Sequence, residues 1–462
     1  TPAIRIRGIG SMNASNEPLY VIDGVPVVSG STGQMNDYLV NSNNVMSSLN
    51  PSDIETITVL KDAAASSLYG SRAANGVIII TTKKGKNGAP KINLKSSLGI
   101  SPSWATDNNE TASVQDQIDM LYSVLYDSRI AGGLNETAAN KWVLDRFKTR
   151  FGIHGYGFST EGTSMYEKVN ITGLTDGIEN REGKYYDWND ALFRTGIFNT
   201  NDLSVSGGTD NTNYYTSLSY TQDKSRVILN DYNRISGRVN LNQKIGKYLE
   251  FGSNINIAKT KLVGMNDTRN TGSNYLLQTR NLLWPLYWPT DYKTGNEWTA
   301  RYGSLAYNPL YYNKEWENSS KTSKISAVES LTLKLLPELT VKTIFSYDET
   351  ESKDHIYYSA KHYNGSSTNG VVTEVTSNIQ KLVSSTTANY NKTFGLHQVA
   401  LLAGFEAEKN ESSFVRATGK DLPSSALHTV STAGQLDAGA YSWGNNMMSV
   451  LSRAEYNFDE RY

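Results

Sequence analysis

The groups in this chain that could do chemistry are five histidines, a large set of carboxylates and a dense run of aromatic rings. His154, His355, His362, His397 and His428 show no metal-ligand spacing. His355 and His362 share one stretch but stand seven residues apart, which matches no metal motif. Cysteine is absent, which excludes disulfides, thiolate metal sites and thiol nucleophiles. There is no G-x-S-x-G elbow, no phosphate-binding loop of the P-loop kind and no dinucleotide fingerprint. A glycosidase-like pair would need two acids at a set separation across a sugar. Asp348, Glu349 and Glu351 read more simply as solvated loop acids or groups near a sheet edge. No catalytic, cofactor-binding or metal-binding residue is assigned, and the chain reads as a non-enzyme.

Two other sets of side chains invite a binding role. Between Tyr275 and Trp316 lie eleven aromatic residues, including half of the chain's eight tryptophans. Flat rings with a polar edge stack on sugar faces and anchor interfaces. Trp284, Tyr287, Trp288, Tyr292 and Trp298 are therefore candidate contacts for a ligand or a covering partner. The alternative is a loop that packs on itself. The second set is charged: Arg5, Arg7, Arg72 and Lys61 alternate with apolar neighbours and read equally as pairing groups or as solvated strand faces, and Arg234, Arg238 and Glu250 alternate likewise further on.

The elements that would hold these groups are strands. Alternation of period two is strong. Ile92, Leu94, Leu98 and Ile100 oppose Lys91, Asn93, Lys95 and Ser97. Ile235, Val239 and Leu241 oppose Arg234, Arg238 and Asn240, and Leu249, Phe251, Ile255 and Ile257 oppose Glu250, Asn254 and Asn256. The pattern returns around Phe345, Phe405 and Val450. It is untidy only where Glu329 falls on the face carrying Ile325, Leu331 and Leu333. Ten such strands are countable after residue 90. Short turns at 208–213, 244–247, 337–338 and 395–396 alternate with long connections at 101–198, 262–322, 351–377 and 410–444, plus a shorter one at 224–231. Short turns on one side and long loops on the other are the asymmetry of an outer-membrane barrel. The low mean hydropathy of −0.46 suits a strand that shows lipid only every second side chain. No run approaches the ~18–20 apolar residues of a spanning helix. The net charge of −1 makes no case for a nucleic-acid partner. The first long connection also carries helical spacing, with Ile118, Leu121, Tyr122 and Leu125 followed by Trp142, Leu144 and Phe147.

Upstream of residue 88 the pattern changes to a small mixed α/β module. Strands are expected at 4–7, 19–22, 55–60 and 77–82, with an Ala-rich helix over 61–69 and a turn at Asp23-Gly24. The segments PAIRIRGIGS (2–11), PLYVIDGVP (18–26), LNPSDIETITVLKDAAASSLYG (49–70) and LYGSRAANGVIIITTKKG (68–85) closely resemble the plug domain of the SusC/RagA family of TonB-dependent outer-membrane importers. YDWNDALFRTG (186–196) and the stretch 204–245 look like early-barrel motifs of the same family.

The resemblance implies residues 1–88 as the C-terminal part of a plug and 89–462 as the N-terminal portion of the barrel. The fold would be an all-β transmembrane barrel, about ten of an implied twenty-two antiparallel strands, with the small α/β plug inside. It implies an internal fragment of a longer protein in the outer membrane of a Gram-negative bacterium. It further implies lipid around the wall, a SusD-like surface lipoprotein above it, TonB as energy source, and an oligosaccharide or peptide as cargo, with no cofactor. On this reading Arg5, Arg7, Arg72, Arg234, Arg238 and Glu250 join plug and wall, and Asn254 points the same way. Two other functions compete. One is a soluble or surface-attached β-rich carbohydrate-binding protein, and the other is an outer-membrane signalling receptor.

Overall fold

A computed structural model describes residues 4–6, 17–28, 45–61, 69, 73–102, 112–264, 282–303 and 306–459. The N-terminal module is a four-stranded mixed sheet in the order β2 (Val25–Pro26), β1 (Leu19–Ile22), β4 (Val77–Thr82), β3 (Ile54–Leu60). β1 runs parallel to β4, and β3 is antiparallel to it. The apolar run at β4 is central because it must be covered on both faces: Val77, Ile78 and Ile80 are buried against Val21 and Tyr20. Two expectations change. Residues 4–6 are not strand, and the expected helix at 61–69 falls almost wholly outside the described residues.

The rest is dominated by one ten-stranded antiparallel sheet. Its order is β5 (Gly88–Ser101), β8 (Gly196–Gly208), β9 (Thr212–Lys224), β10 (Asp231–Ile245), β11 (Leu249–Val263), β12 (Trp316–Lys334), β13 (Leu339–Tyr358), β14 (Val371–Phe394), β15 (His397–Lys420) and β16 (Gln435–Phe458). Every neighbour in the wall is the next wall strand in sequence. The register follows the alternation: Ile235, Val239, Ile255, Ile257, Ile325 and Leu331 are exposed on the outer face, whereas Arg234, Arg238, Asn240 and Asn256 are buried on the inner one. Glu329 stays on the outer, apolar face. There it sits directly opposite Ser253, whose hydroxyl donates to its carboxylate at 2.8 Å.

The long connections are shorter than expected. β13 continues to Tyr358, β14 begins at Val371, β15 continues to Lys420 and β16 begins at Gln435. Polar residues on both faces of these upper segments mimic loop composition, but the backbone ladder runs on through them. A 24-residue strand is roughly 80 Å long at about 3.3 Å per residue, whereas about 9–11 residues cross a bilayer. The wall therefore rises far beyond its apolar band. Asp348 and Glu351 are corrected with it: both lie within β13, and Asp348 is buried on the inner face.

The long connections at 101–198 and 262–322 fold together into one domain at the long-loop end. Helix α1 (Val114–Ala131) is capped by Ser113, and α2 (Glu136–Phe151) by Asn135. The hairpin of β6 (Tyr156–Ser159) and β7 (Asn170–Gly173) and the short helices α3 (Trp188–Leu192) and α4 (Pro309–Tyr312) complete it. The buried stripe of α2 is Ala139, Val143, Phe147 and Phe151, four residues apart at each step. Trp142, expected in that stripe, is at the surface with the Arg129 guanidinium 4.4 Å from its ring centroid. Spacing from Phe147 selects Val143 instead.

If the exposed apolar face of β10 meets lipid, Val239→Arg should destabilise the folded wall by about 2–4 kcal/mol in bilayers. Urea midpoints in lipid vesicles would read this. An unchanged midpoint would mean that Val239 does not face the hydrocarbon.

Candidate functional site

The N-terminal module meets the inner face of β8 to β14 through a seam that is mostly polar. Its centre is Arg238 on β10, which lies 3.5 Å from Asp53 and 3.8 Å from Asp23, all three buried. The turn after β1 positions Asp23, which has φ 50° and is followed by Gly24 at φ 90°. Such backbone favours Asp or Asn and then Gly. From there the Asp23 carboxylate accepts from the Thr82 amide at 2.9 Å and the Thr82 hydroxyl at 2.7 Å. Asp53 ends a single 3₁₀ turn, residues 51–53, whose start is capped by Asn50, and it accepts from the Tyr215 hydroxyl at 2.8 Å. Both acids thus have fixed partners on their own side or on the wall, and Arg238 places one positive charge between them. Buried charge is tolerable only when matched in this way.

Around this centre the wall reaches for module backbone. Arg234 donates to the Leu49 carbonyl at 3.0 Å and to the Asn50 side chain at 3.3 Å. Tyr232 donates to the Ser47 carbonyl at 2.8 Å, and Asn240 to the Lys83 carbonyl at 2.7 Å. On β8, Asp202 accepts from Ser52 at 2.7 Å and from Asn50 at 3.2 Å. Among the described residues an apolar cluster also joins the two parts, Val25 against Val328 and Val383. A small cavity of about 20 Å³, room for roughly one water, lies between Asp23, Arg238, Asn256 and Lys324. The chain leaves the module past Gly85, where a Cβ would stand 2.4 Å from the Tyr214 backbone.

Of the residues that sequence reasoning placed at this seam, Arg234 and Arg238 touch the module, and Asn254 lines the small cavity. Glu250 is half-buried on the same face near the short turn, opposite Lys244. Arg5 is exposed. Arg7 and Arg72 lie outside the described residues. The acids Asp23, Asp53 and Asp202 and the donors Tyr215, Tyr232 and Asn240 were missed. Asp23 was legible only as a turn residue, and the cap Asn50 preceding Pro51 was the one local signal for Asp53.

The aromatic candidates go elsewhere. Tyr287 is fully buried and stacks on Tyr302 at 4.8 Å, within a core that also holds Phe147, Phe151 and Trp188. Trp288 lies under the Arg181 guanidinium, 3.8 Å from its ring centroid, and donates to the Tyr156 hydroxyl at 2.8 Å. Trp284 packs on Phe151, and Trp298 on His154 at 4.3 Å. A ligand platform of all five rings is therefore corrected: packing of the loop domain accounts for Trp284, Tyr287 and Trp288. Tyr292 and Trp298 border an open groove of about 850 Å³ with Tyr156, Phe158 and Asp176. Among the described residues no cluster of acids and histidines could hold a metal ion.

The family model of the TonB-dependent Receptor Plug Domain matches residues 1–77. The chain is 28% identical to the TonB-dependent receptor SusC of Bacteroides thetaiotaomicron over 493 aligned residues, covering 99% of this chain and 42% of that protein. The chain thus resembles TonB-dependent receptors of the SusC/RagA type along nearly its whole length. TonB-dependent receptor P39 of Formosa agariphila is 26% identical over 99% of the chain and 38% of its own length. The solved RagAB peptide transporter superposes with a TM-score of 0.75 at 25% identity, covering 99% of this chain and 49% of that one. The chain spans about half the length of these relatives or less. In receptor terms the four-stranded sheet is plug and the ten-stranded wall is a partial barrel.

Two outcomes follow for the receptor. Arg238→Met would leave Asp23 and Asp53 buried without their cation, a change that typically costs about 3–5 kcal/mol. The plug should become protease-sensitive at lower urea than in the parent protein while the wall stays resistant. Equal sensitivity would remove Arg238 from the centre of the seam. The second concerns His154, whose pKa burial and then Arg181 push down from 6.5 to about 3, against a smaller opposing pull from Asp291. Between those values only the unfolded chain binds the proton. The stability from a neutral His154 is therefore full above pH ~6.5 and is lost as pH falls towards 3, roughly 2 kcal/mol of it by about pH 5. The protection factors of α2 amides, corrected for the pH dependence of intrinsic exchange, should be lower at pH 5 than at pH 7, and His154→Phe should flatten that difference. An undiminished slope in the variant would assign the effect to other groups, His362 first.

Proposed function

We propose that the receptor imports a nutrient across the outer membrane, with residues 1–88 as the plug and 89–462 as the first part of the barrel. TonB would supply the energy by pulling on the plug. The observation that carries this reading is the chemistry of the seam. A plug held by Arg238, Arg234, Asp202 and Tyr215 exchanges its hydrogen bonds and ion pairs with water as it shifts. An apolar plug contact would offer no such exchange, and among the described residues the apolar contact is that of Val25. Net hydrogen-bond energies of about 1 kcal/mol each allow the seam to hold at rest and to open under force.

The cargo is proposed as an oligosaccharide or peptide captured beneath a SusD-like surface lipoprotein. The helical domain built from the connections at 101–198 and 262–322 supports this, because it raises a packed, aromatic-cored platform at the long-loop end. The peptide alternative is favoured by the similarity to RagAB, a peptide transporter. The groove beside Tyr292 and Trp298 is the part of that platform still open to a ligand or to the lipoprotein. No residue is assigned to bond-making chemistry. A soluble carbohydrate-binding protein would leave the outer rows of Ile235, Val239, Ile257 and Ile325 facing water, with nothing to cover them.

The chain contains no cysteine, so an engineered pair would form a single defined link. With Ser52→Cys and Asp202→Cys, oxidation should staple plug to wall and abolish uptake of the cognate nutrient. A reductant should restore it, and each single variant should import normally. Full uptake with the staple verified by gel mobility would show that this part of the plug need not leave the wall.

A further inference from the structure

On the outer face of the wall, above the apolar band and towards the long-loop end, three lysines stand side by side on adjacent strands. Lys261 of β11 is the direct cross-strand partner of Lys321 of β12, which in turn faces Lys353 of β13. Lys259 lies one step below, between Ile235 and Ser323. All four are exposed and border one groove of about 350 Å³. Like charges directly opposite each other in a ladder destabilise the pairing.

The local acids do not cancel this charge. Glu351 pairs with Lys353 at 3.2 Å. Glu349, in the row beneath, is taken up by Tyr347, Asn378 and Gln380. Glu317, higher on β12, is within ion-pair distance of His355 and His428. Lys259, Lys261 and Lys321 have no acidic partner among the described residues.

What lies next to the lysines decides the kind of anion. Directly below them the same face carries Ile257 and Ile325, both exposed, with Ile235 and Tyr220 beside Lys259. Tyrosine at such a boundary is the residue of a membrane–water interface. A ligand filling this surface would carry negative charge at the level of the lysines and hydrocarbon immediately below.

We propose that Lys259, Lys261, Lys321 and Lys353 form a binding site for the phosphorylated headgroup of a lipid in the outer leaflet. The acyl chains would descend over Ile257 and Ile325. Ammonium groups on flexible stems suit phosphate as point charges. The bound phosphate would relieve the lysine row, so that lipid and wall stabilise each other. The inference rests on the reading of the apolar band as lipid-facing, and it is independent of what the receptor carries.

The test uses the receptor purified from outer membranes in mild detergent, with native mass spectrometry counting bound lipid. The probes are a phosphorylated acyl-glucosamine lipid, its dephosphorylated counterpart and inorganic phosphate. The parent protein should bind the phosphorylated lipid at least tenfold more tightly than K259Q/K261Q/K321Q, while K259R/K261R/K321R keeps binding and shows that charge, and not a fold defect, is read. The dephosphorylated lipid should bind parent and Gln variant alike, and inorganic phosphate should not displace the lipid. Equal affinity of parent and Gln variant for the phosphorylated lipid would overturn the proposal. So would displacement by inorganic phosphate alone, which would reduce the site to a simple anion patch. Because the readout is bound lipid and not uptake, a receptor that fails to import can still pass, and one that imports can still fail.

Discussion

Arg238 stands between two buried carboxylates, and much of the receptor's architecture can be traced from that triplet. A guanidinium at this depth must be matched, so Asp23 and Asp53 have to be delivered from two separate places in the plug. One is a hairpin turn whose positive φ suits Asp followed by Gly, and the other is a capped 3₁₀ turn. Those two turns fix the height and orientation of the plug sheet against β10. The neighbouring bonds from Arg234, Asn240 and Asp202 are then in reach without further adjustment.

The wall and the loop domain solve opposite problems. In the wall, the backbone is satisfied between strands and the side chains are free to divide, apolar outside and polar within. In the loop domain the rings must bury themselves, because no sheet covers them. Two connections far apart in sequence do so jointly, with Phe147 and Phe151 from one and Tyr287 and Tyr302 from the other. Arg150 and Arg181 stay inside by pairing with ring faces, a tyrosine hydroxyl and Glu179. Such a domain is rigid for its size, which suits a platform more than a flexible lid.

The ten strands and their faces were legible from alternation, because every second side chain reports its environment directly. Ile235 against Arg238 is enough to set the register of β10. The upper halves of β13 to β16 were not legible. Beyond the band both faces are polar, and Asp348 beside Glu349 reads as loop although one is buried and the other half-exposed. The seam was half legible. Arg234 and Arg238 announce themselves as charges on an inner face, but their acidic partners sit in turns whose local chemistry already explains an aspartate. For the aromatic cluster, residue type spoke for both packing and binding, and only the joining of two distant loops settled which rings were interior.

The strand order of the wall has a consequence for how the molecule comes into being. Each wall strand pairs with its sequence neighbours alone, so the sheet can grow as a series of hairpins from β8 onward, with β5 and β16 as its growing margins. The plug precedes all of them in the chain and is tied to β5 only through the short passage at Gly85. Its partners Asp202, Tyr215, Arg234 and Arg238 belong to β8, β9 and β10, the earliest part of that series. The plug therefore need never be threaded into a finished cylinder. The first hairpins can dock on it, and the later strands can be laid around a filling that is already in place.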